Sequence, residues 1–440
     1  MTVKLPPLVP SKGLLGSAKE YLNDPLDFLD KHQKEYGDIY RFRLGNRKLF
    51  VISHPAYVEH VLQKNHRNYK KSLAYQKLSL LLGNGLFTSE GDFWMKQRRL
   101  AAPSFHHQQI NDYFHIIGDE CRHFEQSIQD GQQIPFSSEM TRLTLRMISR
   151  TLLGHDIDKE FEVVKSHLPP ALSFLINRVF KPFPTPLFLP TSSNRQFKNS
   201  VKQLDNIIFN LIASQKQCFE ENSGLLATLI AARDGFGNPM SDQQLRDEVI
   251  TYFLAGHETT AISVIWTMYA LLSDTQIMQR LGEALQTVNL DSYESIASCV
   301  YLDWVVKESM RLNPPVWVMS REAKAHDEIG GYSIKPGDSL VFSQSIIHKK
   351  KNLWGEDADL FRPERFQQMS TDKYAYFPFG GGPRLCVGKS LAEMEIKTIL
   401  ARLVKKFTLS LEDKQHPGYE YSLTLRPKQE VFINLSSILK

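Results

Sequence analysis

The segment from Ser241 to Ser273 constrains the fold more than any other part of the chain. Ser241 is followed three residues later by Gln244, a spacing typical of a helix N-terminus, and an apolar run continues over 249–272. At a rise of about 1.5 Å per residue, a helix over this segment is roughly 50 Å long. The cluster GHETT at 256–260 interrupts the run, and a lipid-facing helix does not carry such residues without a functional reason. The segment therefore predicts a buried helix that crosses the middle of a soluble domain.

Composition and charge are those of an ordinary globular protein. The chain has 440 residues, of which 42% are hydrophobic, enough to bury a sizeable core. Its 53 basic and 48 acidic residues are evenly spread, so no nucleic-acid partner is expected. The sequence has no repeat, low-complexity tract or linker, which favours one domain over 1–440. The N-terminus carries no apolar run of signal-peptide or anchor length, so a soluble, cytoplasmic protein is expected.

The remaining pattern is mainly helical with a small β portion. A short helix is expected around 25–35. Alternation over 38–44 and a β-rich stretch at 48–52 flank Gly45-Asn46-Arg47 and predict a hairpin. A second hairpin is expected over 331–342, around a turn at 335–338. The prolines of 181–190 exclude a helix interior and predict an apolar loop, either a buried connection or a lid over a hydrophobic entrance.

The densest chemical signal is the segment 377–397. Gly380–Gly382 form a loop that permits positive φ angles or a close backbone approach. Cys386 follows four residues later, just before a predicted helix that begins near Gly388 and carries its apolar residues on one face. At that place the helix dipole and the free N–H groups favour a thiolate.

A thiolate at Cys386 could act as a nucleophile, a redox thiol or a metal ligand. A nucleophile needs a nearby histidine base, and the closest upstream histidine in sequence is His348. A redox thiol needs a resolving cysteine, yet the cysteines are far apart in sequence, which also favours a reducing compartment. Metal ligation by a single thiolate points to an iron whose other ligands come from a cofactor, namely haem.

At this loop and at four further motifs, the chain resembles a cytochrome P450. The family's cysteine-loop pattern, Phe-x-x-Gly-x-Arg-x-Cys-x-Gly, is met over 379–388. The other motifs stand in the family's order: Trp94-x-x-x-Arg98, AGHETT at 255–260, Glu308-x-x-Arg311 and FRPERF at 361–366. With the hairpins and the proline-rich start, the resemblance covers essentially the whole chain.

The resemblance implies a haem b cofactor, iron protoporphyrin IX, with Cys386 as its axial thiolate ligand and Phe379 beside it. The two propionates of a haem need cationic partners, and the planar fork of arginine suits them best. The residues that the resemblance assigns to the propionates are Trp94, Arg98, Arg321 and Arg384. On spacing alone, Glu308 and Arg311 are typical of a surface ion pair. The resemblance instead places Glu308, Arg311 and Arg365 in a buried triad that serves folding and haem retention.

The cluster at 255–260 is expected to carry the catalytic step. Gly256 is a weak helix former and Thr259 can bond back to the carbonyl four residues earlier, which predicts a locally opened helix. The resemblance implies that Glu258 and Thr259 form an acid–alcohol pair that relays protons. The sequence around Phe87 is similar to that of bacterial fatty-acid hydroxylases of the family. The expected pocket walls are Phe87, Ala255, Val316, Val318 and parts of 165–190, with Arg47 a candidate anchor for a carboxylate.

The activity implied is a monooxygenase that inserts one oxygen atom of O2 into a hydrophobic small molecule, such as a fatty acid, terpenoid or carotenoid. No flavin or iron–sulfur segment follows Cys386, so a separate ferredoxin- or flavodoxin-type electron donor with its reductase is expected, with the enzyme a monomer. The expected docking side is basic and includes Lys96, Arg99 and Lys389. A peroxide-driven peroxygenase and a non-enzymatic haem-thiolate sensor are the alternatives. The Glu258–Thr259 pair argues against both.

Overall fold

Helices form most of the chain. The structure is a computed structural model that describes residues 4–11, 13–154, 156, 158–180, 184–217, 224–233, 237–368 and 372–438. The helices are α1 (Ala18–Asn23), α2 (Pro25–Tyr36), α3 (Pro55–Glu59), α4 (Leu73–Leu82), α5 (Gly91–Ala101), α6 (His107–Ser127), α7 (Phe136–Leu152), α8 (Phe161–Phe180), α9 (Ser192–Gln217), α10 (Gly224–Ala231), α11 (Asp242–Ser273), α12 (Thr275–Leu285), α13 (Tyr293–Ala297), α14 (Val300–Leu312), α15 (Gln344–Ile347), α16 (Lys351–Trp354) and α17 (Lys389–Lys406). The class predicted from the sequence, mainly α with a small β portion, is confirmed.

Within the described residues the strands are short and fall into four sheets. They are β1 (Ile39–Leu44), β2 (Arg47–Ile52), β3 (Tyr69–Lys71), β4 (Gln132–Pro135), β5 (Met319–Ala323), β6 (Asp327–Ile329), β7 (Tyr332–Ile334), β8 (Ser339–Phe342), β9 (Phe407–Leu411), β10 (Tyr419–Tyr421), β11 (Leu425–Pro427) and β12 (Phe432–Ser437). The largest sheet has the order β1-β2-β8-β5-β3. A three-stranded sheet has the order β4-β12-β9, and β6-β7 and β10-β11 are two-stranded.

The long helix predicted at about 241–273 is α11, and its bounds are confirmed. The Ser241 side chain accepts a hydrogen bond from the Gln244 N–H at 3.2 Å, as an N-cap residue does. In a capping box the Gln244 side chain would bond back to the Ser241 N–H. Here it donates instead to Glu248, at 2.9 Å. The helices α7, α9, α14 and α17 all pack against α11, which lies within the largest hydrophobic cluster. In the described part of the chain, no helix combines the length and apolarity needed to cross a membrane.

The first predicted hairpin is confirmed and the second is wrong. Strands β1 and β2 pair antiparallel, with Leu44 opposite Arg47. In the second case β7 pairs with β6, whereas β8 pairs antiparallel with β5 and parallel with β2 in the large sheet. The turn at Lys335–Asp338 does form, with the Asp338 N–H bonded to the Lys335 carbonyl. The turn therefore connects two different sheets. The partners of β8 are β2 and β5, which are distant in sequence, rather than the adjacent strand β7.

The proline-rich segment lies partly outside the described residues, at 181–183. Its described part, 184–190, is irregular and mostly exposed. Phe188 is 79% exposed there, so the interpretation as a buried connection is wrong for 184–190. A lid function for this segment stays a prediction.

Candidate active site

The loop before Cys386 needs its glycines for two separate reasons. Gly380 and Gly382 have φ angles of 74° and 63°, which L side chains rarely adopt. A Cβ on Gly382 would also lie 1.8 Å from the carbonyl oxygen of Leu62. The loop closes through a 3.0 Å hydrogen bond from the Cys386 N–H to the Phe379 carbonyl. The backbone thus fixes where Cys386 stands, and no other residue type fits at Gly382.

The Cys386 side chain lines an interior cavity at the start of α17. Gly388 is the N-cap residue of that helix. Cys386 is exposed to the cavity, yet desolvation by the surrounding protein raises the pKa of its thiol, and the Gly388 N–H and the Arg98 guanidinium offset part of this effect. The helix N-terminus thus acts in the predicted direction, through the Gly388 N–H, but desolvation of the thiol outweighs it. Coordination to a metal cation would reverse the balance, because a coordinating thiol is deprotonated.

The segment leading into the loop is anchored to a buried histidine. The Phe377 N–H donates to His348 Nε2 at 3.0 Å, and the Tyr376 hydroxyl donates to the Lys307 carbonyl at 3.1 Å. Burial lowers the pKa of His348 to about 3, and the neighbouring Arg311 adds to the shift. His348 is therefore neutral at physiological pH and acts as a hydrogen-bond acceptor.

The structure brings Glu308, Arg311 and Arg365 together in a closed network. Glu308 Oε2 lies 2.7 Å from Arg311 Nε, and Glu308 Oε1 lies 2.7 Å from Arg365 Nε. The side chains of Glu308 and Arg311 are fully buried. Further Arg311 N–H groups donate to the carbonyls of His348 and Ala358, each at 2.7 Å. The simple surface-pair interpretation of Glu308 and Arg311 is therefore wrong.

The interior cavity has a volume of about 310 Å³, within the range of small-molecule sites. All four residues expected as pocket walls line it: Phe87, Ala255, Val316 and Val318. So do apolar residues that the sequence analysis did not single out, including Tyr75, Leu82, Ile148, Leu152 and Leu423. Neither Arg47 nor any described residue of 165–190 lines this cavity, so the expectation for 165–190 is wrong over its described part.

A cluster of cations lines the same cavity. The predicted residues Trp94, Arg98, Arg321 and Arg384 are all part of its wall. The Arg384 guanidinium stacks on the Trp94 ring, 3.7 Å from its centroid, and donates to Glu90 at 2.8 Å. Burial lowers the pKa of Arg384 to about 10, with Arg321 and Arg98 adding repulsion against the pull of Glu90. Positive charge therefore exceeds negative charge in this part of the wall.

Lys71 belongs to this cluster and was missed by the sequence analysis. Its Nζ donates to the Phe87 carbonyl and lies 5.1 Å from the centroid of the Phe87 ring. Burial holds the pKa of Lys71 well below its usual value, and Arg384 and Arg321 lower it further. A lysine in a three-residue strand gives no sequence signal of burial, so only the fold reveals this residue.

The 255–260 segment of α11 faces the cavity with Ala255, Glu258 and Thr259. The Thr259 hydroxyl donates to the Ala255 carbonyl at 2.7 Å, as the spacing predicts. The helix is nevertheless α-helical without interruption, so the predicted local opening is wrong. Gly256 has a different reason, because a Cβ there would lie 2.4 Å from the Ile148 side chain of α7.

Two further polar residues of the cavity wall were also missed. Glu395 on α17 is buried, accepts a 3.1 Å hydrogen bond from Thr260, and has its pKa raised to about 8 by burial. Thr424, which precedes β11, donates to Glu258 Oε1 at 2.8 Å. Both contacts join residues more than a hundred positions apart, so no local sequence pattern predicts them.

Comparison with known proteins identifies the family. The sequence model described as "Cytochrome P450" matches residues 5–434. The chain belongs to the cytochrome P450 family. This P450 is 30% identical over 421 residues to cytokinin hydroxylase of Arabidopsis thaliana, an alignment that covers 92% of this chain and 82% of the relative.

Two relatives from Streptomyces melanosporofaciens are equally similar to this P450. Cyclooctatin synthase is 30% identical over 427 residues, covering 94% of this chain and 92% of the relative. Cyclooctat-9-en-7-ol 5-monooxygenase is 29% identical over 407 residues, covering 90% and 87%. The predicted family is thus confirmed, and the chain is an oxidoreductase of a family of haem monooxygenases. The finer likeness to bacterial fatty-acid hydroxylases stays a prediction.

The residues of the cavity fit a haem. The thiol of Cys386 supplies a soft ligand suited to iron, and the surrounding wall is largely apolar. The excess of guanidinium cations at Arg98, Arg321 and Arg384, with Lys71 beside them, calls for anions, and the two carboxylates of a haem would supply them. No group of three or more histidine, cysteine or acidic residues suited to a metal ion occurs among the described residues.

Proposed function

We propose that this P450 is a haem-thiolate monooxygenase that inserts one oxygen atom of O2 into a hydrophobic small molecule, with Cys386 as the axial ligand of haem b. The observation that carries the proposal is the placement of the Cys386 thiol in the same apolar cavity wall as Glu258 and Thr259 of α11. The electrons come from a separate ferredoxin- or flavodoxin-type partner, and the enzyme acts as a monomer.

Each part of the wall then has a task. Lys71, Arg98, Arg321 and Arg384, with Trp94, bind the haem carboxylates, and Phe379 packs beside the cofactor. When bound, haem supplies the iron that activates dioxygen, aided by electron donation from the thiolate. Phe87, Val316 and Val318 hold the substrate by apolar contact, since burial of apolar surface is what drives such a ligand from water. The small side chain of Ala255 leaves space above the cofactor.

Glu258 and Thr259 serve as the proton pair of this proposal. Both line the cavity, and Glu258 also contacts residues that lead towards the surface. A carboxyl group and an alcohol in series can move a proton from solvent into an otherwise apolar cavity. Much of the remaining wall is apolar and cannot carry a proton, so polar side chains such as these are the suited route.

The first experiment is the absorption difference spectrum of the reduced protein with carbon monoxide. A strongly red-shifted Soret band is expected, and Cys386→His is expected to abolish it. Cys299→Ala is a matched control, because Cys299 is buried outside the cavity wall, and it is expected to leave the band unchanged. An unshifted band in the unaltered protein would refute thiolate ligation by Cys386.

A second experiment identifies the substrate class and tests the peroxygenase and sensor alternatives. Fatty acids, terpenoids and carotenoid fragments are screened for the spectral shift that follows displacement of the axial water. Compounds that bind are then incubated either with a surrogate electron donor and O2 or with hydrogen peroxide alone. Product from the donor reaction supports the monooxygenase. Product from peroxide alone would establish the peroxygenase, and efficient reduction without any product would establish the sensor.

The docking side of the electron donor is proposed to include Lys96, Arg99 and Lys389. All three side chains are exposed, and Lys389 lies at the start of α17, three residues after Cys386. Reversal of all three charges to glutamate is expected to slow reduction by a surrogate ferredoxin and to weaken its salt dependence, because such charges mainly set the association rate. Stopped-flow reduction at several ionic strengths measures this. Substrate-induced spectral shifts serve as the control, and an unchanged reduction rate would exclude this docking side.

A further inference from the structure

The carboxylate of Glu258 is held by a strand pair outside α11. Its Oε1 accepts a 2.8 Å hydrogen bond from the Thr424 hydroxyl and lies 3.8 Å from Arg426 Nη1. The Thr259 hydroxyl is bonded instead to its own helix, at the Ala255 carbonyl. The two members of the proton pair are therefore adjacent in sequence but turned to different partners.

Arg426 connects this carboxylate to the surface. Its Nε and Nη2 donate to both carboxylate oxygens of Glu420, at 3.0 and 2.8 Å, across the register of β10 and β11. The exposed fraction of the side chain rises from 15% for Glu258 to 33% for Arg426 and 47% for Glu420. The cavity wall and bulk solvent are thus joined by one short line of side chains.

The other ionisable group next to Glu258 is not part of this line. His257 is buried, and its Nδ1 is hydrogen-bonded to the Phe253 carbonyl at 2.7 Å. Burial lowers the pKa of His257, so the ring is neutral near pH 7. The cation that faces Glu258 is therefore Arg426, whose charge Glu420 partly balances.

We propose that Thr424 and Arg426 are positioning residues that hold Glu258 in an outward place where it takes up protons. The proposal rests on the proposed role of Glu258 as a proton donor. An acid in bulk solvent, hydronium or a buffer acid, gives its proton to the Glu258 carboxylate, which becomes a neutral carboxylic acid. Arg426 does not relay the proton itself, because a guanidinium stays protonated.

The same two residues make the release of Glu258 depend on its charge. A carboxylate is attracted to Arg426, whereas a neutral carboxylic acid is not. Protonation therefore frees the Glu258 side chain to turn inward, where it passes the proton to the Thr259 hydroxyl while that hydroxyl releases its own proton to a water molecule in the cavity. The carboxylate left behind is drawn back to Arg426, and the cycle is ready to repeat.

The test uses pairs of variants that differ in one chemical feature. Thr424→Val removes the hydroxyl at constant shape, whereas Thr424→Ser keeps it. Arg426→Met removes the charge, whereas Arg426→Lys keeps it. Arg280→Met is the matched control, because Arg280 forms a 2.7 Å pair with Glu364 on the surface of α12, away from the cavity.

Two quantities are measured on the haem-loaded enzyme with a surrogate electron donor and dodecanoic acid as the probe. The first is the share of electrons released as hydrogen peroxide, which is measurable even if the probe is not oxidised. The second is the solvent isotope effect on electron consumption in D2O. A crystal structure of the Thr424→Val/Arg426→Met variant reports where the Glu258 side chain lies, independently of activity.

Thr424→Val and Arg426→Met are each expected to raise the peroxide share at least about threefold, a modest part of the ~10²–10⁴-fold that a positioned acid contributes. The solvent isotope effect is expected to rise in both variants, because proton delivery becomes slower. Thr424→Ser, Arg426→Lys and Arg280→Met are expected to stay near the unaltered enzyme. In the crystal structure of the double variant, the Glu258 carboxylate is expected to lie away from positions 424 and 426.

Two results would overturn the proposal. One is an unchanged peroxide share in Thr424→Val and Arg426→Met. The other is a raised peroxide share with an unchanged isotope effect, which would reveal a structural role only. Glu258→Gln separates this proposal from the one on which it rests. If Glu258→Gln raises the peroxide share and the Thr424→Val and Arg426→Met variants do not, only the positioning role fails. If Glu258→Gln has no effect, the proposed proton pair itself fails.

Discussion

Two arginine clusters in this P450 differ in the anions that balance them. In the network of Glu308, Arg311 and Arg365, the protein itself supplies the carboxylate and several carbonyl acceptors. The cluster of Arg98, Arg321 and Arg384, with Lys71 beside it, has a surplus of positive charge, with Glu90 bonded to Arg384. A closed network contributes to the fold, whereas an unbalanced one is built for a ligand. The same residue type therefore has opposite meanings in the two places.

The largest expected effect comes from breaking the closed network. Glu308→Ala leaves two buried guanidinium groups without their carboxylate, which typically costs about 3–5 kcal/mol of folding free energy. Urea unfolding of the purified protein measures it. Glu356→Ala is the control, because Glu356 pairs with Lys351 at the surface, where such pairs contribute about 0–1 kcal/mol. Equal losses in the two variants would contradict the distinction between the clusters.

Removing one cation of the cluster around Arg384 is expected to weaken haem binding and to leave the folding stability unchanged. Arg321→Met keeps an apolar stem of similar length but loses a partner for a haem carboxylate. A hydrogen bond to a charged group contributes about 1.5–3 kcal/mol, so haem should dissociate roughly 10- to 100-fold faster. The haem-free protein should keep its stability, since repulsion with Arg384 disappears. Haem transfer to apomyoglobin measures the rate of haem dissociation, and urea unfolding measures the stability of the haem-free protein.

A loss of stability as large as that of Glu308→Ala would show that this cluster also serves the fold.

The last expected effect is that of Lys71, and it appears only as a pH dependence of stability. Burial holds the pKa of Lys71 well below its usual value of about 10.4, so the unfolded chain binds this proton at pH values where the folded protein does not. The stability of the haem-free protein therefore rises with pH through this window, by at most about 1.4 kcal/mol per pH unit. Lys71→Met should remove that part of the slope. Unfolding curves at several pH values below about 10.4 measure it, and parallel slopes in both proteins would contradict the assignment.

Local features were accessible from the sequence alone. The hairpin of β1 and β2, the bounds of α11 and the start of α17 depend on turn residues, caps and periodicity, all of which act over a few positions. The glycines before Cys386 belong here too, because Gly380 and Gly382 reveal the need for positive φ angles by their type. The family motifs located the cavity wall residues Trp94, Arg98, Arg321, Arg384, Glu258 and Thr259.

Contacts between distant segments were decided by the tertiary structure. Strand β8 pairs with β2 and β5 rather than with its neighbour β7, and in the large sheet three of its four residues are buried. From the sequence, Gly256 predicts a local opening of the helix. In the structure it instead allows close packing of α11 against Ile148 of α7.

The same holds for the charges of the site. Lys71 is an ordinary lysine in the sequence, and only the fold buries it beside Phe87 and two arginines. Thr424 and Arg426 meet Glu258 across more than 160 positions. The sequence by itself determined which residue types and local conformations are present. The tertiary structure decided which charges are desolvated and what balances them, because burial and Coulomb energy depend on distances in space rather than along the chain.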